Sequence, residues 1–247
     1  MNKTIIFDLD GTLYFGSQIA NEAPKALELL MEANIDWIFL TNNSTKTRKQ
    51  ITDKLIDLGF TACEEIVYTS AYITAQYLIQ HQINKVLLLG EESFQEELFQ
   101  MGIHTVSNPQ NAQAIVIGLD FSISYEKIEN ALYAVNNLHL PIIASNADKN
   151  FPIGNQRIRP GANMILSALL GSLDTSIDYT LVGKPNTFFL KLITQRHNLD
   201  KNNIIVVGDS MESDIEMAKR YGCDSFLVGS HGFTIQDATN IIETKRG

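Results

Sequence analysis

The sequence predicts an α/β fold, in which a parallel sheet is sandwiched by helices and a second α/β domain is inserted into the chain. Three observations carry this. Short apolar, β-prone runs alternate with stretches of helical periodicity. Those runs stop abruptly in acids, hydroxyls and glycine, as strands do when they feed loops at a sheet's carboxyl edge. The alternation also continues through the middle of the chain, between two terminal blocks of the same kind.

Residues 4–7 are apolar and β-prone, and the charged turn from Asp8 to Gly11 ends them, which predicts a buried strand running into a loop. In 23–33, Ala26, Leu27, Leu30 and Met31 recur at helical spacing, and the apolar strand 37–40 follows. A helix containing 51–58 comes next. The middle region predicts strands at 85–89, 114–117 and 141–144 and helices around 94–100 and 125–136, followed by a short strand at 179–182. The last third repeats the βα unit: strand 203–207, a helix around 215–221, then strand 225–228. We place the core domain at residues 1–80 and 178–247 and the inserted domain at 81–177; no Pro/Gly linker marks its edges near Gln80 and Ile177. The chain shows no internal repeat and no low-complexity tract.

With 247 residues, 45% of them hydrophobic, the chain can bury a sizeable core. Cys63 and Cys223 form no C-x-x-C pair, so neither a zinc site nor a disulfide framework is indicated, and a reducing cytoplasm is the expected compartment. Two aspartates interrupt the N-terminal apolar run almost at once, unlike a secretory signal, and no apolar stretch is long enough to cross a bilayer. The net charge of -9, dispersed along the chain, argues against a nucleic-acid partner. Chemistry on a small molecule is the expectation.

Four stretches carry that chemistry. In Asp8-Leu9-Asp10-Gly11-Thr12-Leu13, two carboxylates two residues apart leave the strand on one side of its pleat, so both can reach one site. Paired acids there suit a hard cation with oxygen ligands, and one can attack an electrophile. Asp-Gly is also an ordinary turn former. In Thr41-Asn42-Asn43-Ser44, a hydroxyl and backbone N–H groups ahead of a helix suit phosphate oxygens, although Ser and Asn are equally at home as helix caps. Lys184, between Gly183 and Pro185, can neutralise a carboxylate and a phosphoryl group together; most loop lysines are simply solvated. In Gly208-Asp209-Ser210-Met211-Glu212-Ser213-Asp214, Asp209 can ligate a cation and Asp214 can orient it from behind, while the helix dipole alone would account for Asp214.

Taken together, these stretches resemble the four motifs of the haloacid-dehalogenase superfamily: D-x-D-G-T, a strand ending in Thr or Ser, a Lys, and G-D-x-x-x-x-D. The short spacer 12–40 has room for a helix but not for a helical cap, whereas 42–183 has room for a whole α/β domain. The chain therefore resembles the C2-capped NagD and p-nitrophenylphosphatase-like subfamily, also through 40–44, Ala144-Ser145-Asn146-Ala147-Asp148 and Val182-Gly183-Lys184-Pro185. Residues 149–159 do not match any one characterised member, so the substrate does not carry over.

The resemblance implies a Rossmann-like core with a C2 cap and a Mg²⁺-dependent phosphatase acting on a small phosphorylated metabolite. Asp8 is the implied nucleophile, giving an aspartyl-phosphate, and Asp10 the general acid and base. Dehalogenases of the superfamily lack a carboxylate at that second position. Mg²⁺ would be held by Asp8, Asp209 and the backbone carbonyl of Asp10, with Ser210 and Asp214 behind it. Thr41, Asn42 and Lys184 would bind the phosphoryl group, and Asn146 and Asp148 in the cap would meet the leaving group, though a capped turn accounts for that pair equally well. Arg157 and Arg159 could meet an anionic substrate, with two solvated surface arginines the plainer reading; the five histidines lack metal-ligand spacing, and His231, in a late loop, could approach the site. The sequence leaves the oligomeric state open, and the resemblance is compatible with a homodimer through the cap. A phosphotransferase or phosphomutase would use the same intermediate, and a catalytically idle phospho-ligand binder could share the scaffold.

Overall fold

The computed structural model describes residues 3–152 and 157–244. Residues 153–156, within the 149–159 stretch singled out above, lie outside the described residues. The chain runs β1 (Thr4–Asp8), a small hairpin of β2 (Tyr14–Phe15) and β3 (Gln18–Ile19), α1 (Ala23–Glu32), β4 (Asp36–Thr41), α2 (Arg48–Asp57), β5 (Val67–Thr69) and α3 (Ser70–Gln80). It continues with β6 (Lys85–Leu89), α4 (Glu92–Gln100), β7 (His104–Thr105), β8 (Ala114–Ile117), α5 (Tyr125–Leu138), β9 (Ile142–Ala144), β10 (Asn150–Pro152), β11 (Ile158–Pro160), α6 (Asn163–Leu170) and β12 (Tyr179–Leu181). The last elements are α7 (Phe188–His197), β13 (Ile204–Gly208), α8 (Glu216–Tyr221), β14 (Asp224–Leu227) and α9 (Ile235–Thr244).

These elements pack as two compact units. The first comprises Met1–Thr41, Thr52–Tyr68 and Lys184–Gly247, and the second Asn42–Ile51 and Thr69–Gly183. The first unit is built on a five-stranded sheet of order β14-β13-β1-β4-β5. Its middle pairs are parallel: Phe7 lies opposite Val207 on one side and Phe39 on the other. Every residue of β1 and of β13 is buried, as expected of strands covered on both faces. In α1, Pro24 sits in the first turn and Ala23, Ala26, Leu27 and Leu30 turn inward. Met31, at helical spacing with them, faces solvent instead.

The second unit carries its own five-stranded sheet, β12-β9-β8-β6-β7, with every pairing parallel. Leu87, Leu89, Ile115, Ile117 and Ala144 from its strands meet Ala131, Val135, Ile165 and Leu169 from α5 and α6 in one core cluster. Ser124 caps α5 by accepting from the Lys127 N–H, and His139 closes it in the left-handed region. No helix among the described residues is long and apolar enough to cross a membrane.

Candidate active site

The register of the first sheet brings three of the four motifs to one edge. Phe7 pairs with Val207 and Asp8 with Leu40, so Asp8, Thr41 and the Gly208-Asp209 step stand at the carboxyl ends of adjacent strands. Ligands of open α/β sheets sit there. The turn after β1 is tight: Leu9 C=O accepts from the N–H groups of Thr12, Leu13 and Tyr14, and Gly11 N–H donates to Tyr14 C=O at 2.8 Å. Gly11 has φ +90°, and a β-carbon there would overlap the Asp209 carboxylate, so glycine is required twice over.

Lys184 links the first motif to the last. Its Nζ donates to Asp8 Oδ1 at 2.5 Å and to Asp214 Oδ1 at 2.6 Å, and all three residues are buried. Asp214 is held from its other oxygen by the Ser210 N–H at 3.2 Å. It lies in a widened turn, where Ile215 N–H reaches back five residues to Ser210 C=O; such π turns are frequent at functional sites. Carboxylate oxygens of Asp8, Asp209 and Asp214 lie within 4.8 Å of one another.

Three carboxylates against one ammonium leave this cluster electrostatically unbalanced. Burial raises the Asp8 carboxyl well above its ordinary value, Lys184 opposes that, and Asp214 and Asp209 add to it. Burial likewise raises Asp209, with Asp214 contributing. Burial disfavours the charged form of Lys184, but the attraction of Asp214 and Asp8 outweighs it and raises its pKa, so it remains an ammonium.

Asp10 stands apart from the trio. Its carboxylate accepts from the Gly16 N–H at the tip of the β2–β3 hairpin, at 3.2 Å. Burial raises its pKa, opposed by that hydrogen bond and by Lys54. Such a carboxyl can carry a proton to a leaving group.

In the second unit, the structure joins Asn42, Asn146 and Asp148. Asn42 Nδ2 donates to Asp148 Oδ1 at 3.0 Å, and Asn146 Nδ2 donates to Asn42 C=O at 3.0 Å. Arg157 and Arg159 are exposed, the latter 5.7 Å from the Phe121 ring. His231 is exposed and lines a hollow of about 410 Å³ with Phe15, Gln18, Ser230 and Thr234. Lys54 escaped the sequence reading: its ammonium lies 3.5 Å from the centre of the Tyr14 ring. An isolated lysine on α2 carries no spacing signal that would have found it.

A buried lysine bridging a strand-end aspartate to an aspartate thirty residues further on, with a second strand-end acid beside them, defines a class. Two models of that class match the chain: the haloacid dehalogenase-like hydrolase model over residues 5–104 and a second haloacid-dehalogenase-like hydrolase model over 181–245. The chain belongs to the haloacid dehalogenase-like hydrolase family. Within it, the chain is similar to the NagD and p-nitrophenylphosphatase group. It is 31% identical to a 5'-nucleotidase of Bacillus subtilis over 92% of this chain and 86% of the relative. It is also 31% identical to an acid sugar phosphatase of Staphylococcus aureus, over 96% and 90%. A p-nitrophenyl phosphatase from Archaeoglobus fulgidus superposes with a TM-score of 0.86 at 28% identity, covering 99% of this chain and 93% of that one.

Proposed function

We propose that the protein hydrolyses a small phosphomonoester, such as a sugar phosphate or a nucleotide, with Mg²⁺, through a phosphorylated Asp8. The observation that carries this is the Lys184 ammonium bridging Asp8 and Asp214 beside Asp209. The donor set is hard oxygen only and carries excess negative charge, which fits Mg²⁺. Asp8, Asp209 and the Asp10 peptide carbonyl would hold the cation, with Ser210 and Asp214 fixing them from behind. Bound there, it supplies charge neutralisation to the phosphoryl oxygens.

An Asp8 carboxylate oxygen attacks phosphorus, and the bond to the ester oxygen breaks in line. Lys184 balances the charge that Asp8 and the phosphoryl group then share. Thr41 Oγ1 and the Asn42 N–H hold phosphoryl oxygens. Protonated Asp10 gives its proton to the departing alkoxide, and its raised pKa favours that form at the outset. Ionised Asp10 then takes a proton from water, whose oxygen attacks phosphorus, releasing inorganic phosphate and regenerating the Asp8 carboxylate. The compartment is the cytoplasm.

The test is phosphate release from p-nitrophenyl phosphate with Mg²⁺ and with chelator, followed by a panel of phosphorylated metabolites. We expect metal-dependent turnover and one preferred class of ester. Transfer of the phosphoryl group to an added sugar in place of water, or no turnover at all with Mg²⁺ present, would overturn the reading.

A further inference from the structure

The chain crosses between its two units after Thr41, Ile51, Tyr68 and Gly183. On the second unit's side, three of these crossings run into a single hydrogen-bonded knot. Asn42, the first residue past β4, has its carbonyl gripped by the Ser70 hydroxyl at 2.8 Å and the Asn146 amide at 3.0 Å. Its own side-chain amide donates to Asp148, and the Asp148 N–H donates to Asn146 Oδ1 at 3.3 Å. Ser70 stands one residue past the crossing at Tyr68. Gly183, the last residue before Lys184, packs so closely on Ser145 C=O and Asn42 Oδ1 that a β-carbon would overlap both. Asp148 is fixed in turn by its carbonyl, which accepts from the Asn163 N–H at 3.1 Å.

The knot is built to hold one residue. Asn42, Ser70 and Asn146 are buried, so each lost partner would strand a polar group away from water. Residues 42–47 form no helix or strand, so nothing in regular structure orients Asn42. Gripped by its carbonyl and its side chain, it has little freedom left to turn the Thr41–Asn42 peptide.

We propose that Asp148, acting through Asn42 with Ser70 and Asn146, is a positioning residue for the phosphate-binding Thr41–Asn42 peptide and does not read the leaving group. This rests on the proposed phosphate role of that peptide and assigns it a support. A residue that touches the leaving group discriminates among esters, whereas one that sets the phosphate loop affects all of them alike. Misplacement of a binding group by about 1 Å can lower rates by roughly a hundredfold.

The experiment compares full-length wild type, Asp148→Ala, Asp148→Asn and Ser70→Ala. Turnover is measured on aryl, sugar and acyl phosphates, and inorganic phosphate binding by calorimetry with Mg²⁺. Asp148→Ala should weaken phosphate binding about tenfold and lower kcat/KM by roughly ten- to a hundredfold, by a common factor across the substrates. Asp148→Asn keeps an oxygen for Asn42 Nδ2 and should recover most of both. Ser70→Ala, which leaves Asp148 intact, should shift both readouts the same way by a smaller factor, and carries the comparison if Asp148→Ala does not fold. A loss that differs widely among leaving groups, an Asp148→Asn protein as impaired as the Asp148→Ala protein, or unchanged phosphate binding in Ser70→Ala and Asp148→Ala would each overturn the proposal. Failure of the catalytic reading shows elsewhere, as an inactive wild type or an active Asp8→Asn, and the calorimetric comparison still reads the knot.

Discussion

Replacing Asp209 with Asn should make the metal-free protein more stable and metal binding nearly silent. Asp8, Asp209 and Asp214 contribute three negative charges and Lys184 one positive, a formal balance of -2. At their outer limit of 4.8 Å and an effective dielectric constant of about 20, each like-charge pair repels by at least about 3.5 kcal/mol. Asp209 faces two carboxylates and one ammonium, so about one such repulsion is unbalanced. Because Asp209, though partly covered, is still open to solvent, solvent and salt reduce that to ~1 kcal/mol. For 247 residues, an unfolding entropy of about 0.5 kcal/mol/K converts it to a rise of ~2 °C in Tm. In wild type, Mg²⁺ at a hundredfold excess over its Kd adds about 2.7 kcal/mol, or ~5 °C. Thermal melts of both proteins with chelator and with Mg²⁺ read the two effects directly. A chelated Asp209→Asn protein that melts below chelated wild type, or one that retains the whole magnesium shift, refutes the electrostatic reasoning.

Asp8→Asn should fold and melt normally yet release phosphate at background rates, since an amide cannot serve as the nucleophile; wild-type turnover in that variant would refute the covalent route. Asp10→Asn should lower kcat by roughly 10²–10⁴ on alkyl phosphates, and far less on p-nitrophenyl phosphate, whose leaving group needs little help from a proton; equal losses on both would contradict an acid role. Because burial raises the Asp10 carboxyl, wild-type kcat on alkyl esters should fall as pH rises through a value above the ordinary carboxylate range, and a kcat flat up to pH 9 would count against it. Burial lowers the His197 imidazole, which pairs with the Tyr68 hydroxyl at 2.8 Å. The unfolded chain therefore binds the extra proton first, so stability is full above about pH 6.5 and declines as pH falls toward the lower folded value. Urea midpoints between pH 7.5 and 5.5 should show this decline in wild type and a smaller one in His197→Asn.

What was legible in the sequence was what has a local cause. The strands β6 and β8 were read to their observed ends because unbroken Val, Leu and Ile runs admit little else. Asp8 and Asp209 stood out because an acid directly after a buried strand is out of place unless something uses it. Helix α3 went unread for the opposite reason. In α3, residues 70–75 are all buried, so no polar face alternates with an apolar one. The widened turn at Met211–Ile215 replaces the start of an ordinary helix and leaves no compositional mark. Asn146 and Asp148 were picked out as polar residues past a strand, but their partner Asn42 lies more than a hundred positions away. Hydrogen bonds over that separation have no signature in a single sequence.

The site is held together against its own charge, and the sheet explains how. Asp8 follows Ile5, Ile6 and Phe7, and Asp209 follows Val206, Val207 and Gly208, all fully or almost fully buried among the side chains. Full burial of each large apolar side chain contributes about 1.5–3 kcal/mol, so the two strands fix their ends against a repulsion of smaller scale. Parallel pairing then sets which ends are neighbours: a slip of one residue between β1 and β13 would turn their buried faces over and carry Asp8 away from Asp209 at once. The apolar register and the acidic cluster are therefore one constraint. Substitutions that weaken the β1–β13 pairing should reduce metal affinity and stability together, whereas substitution of Asp209, which Lys184 does not bridge, should separate them, raising stability as affinity is lost.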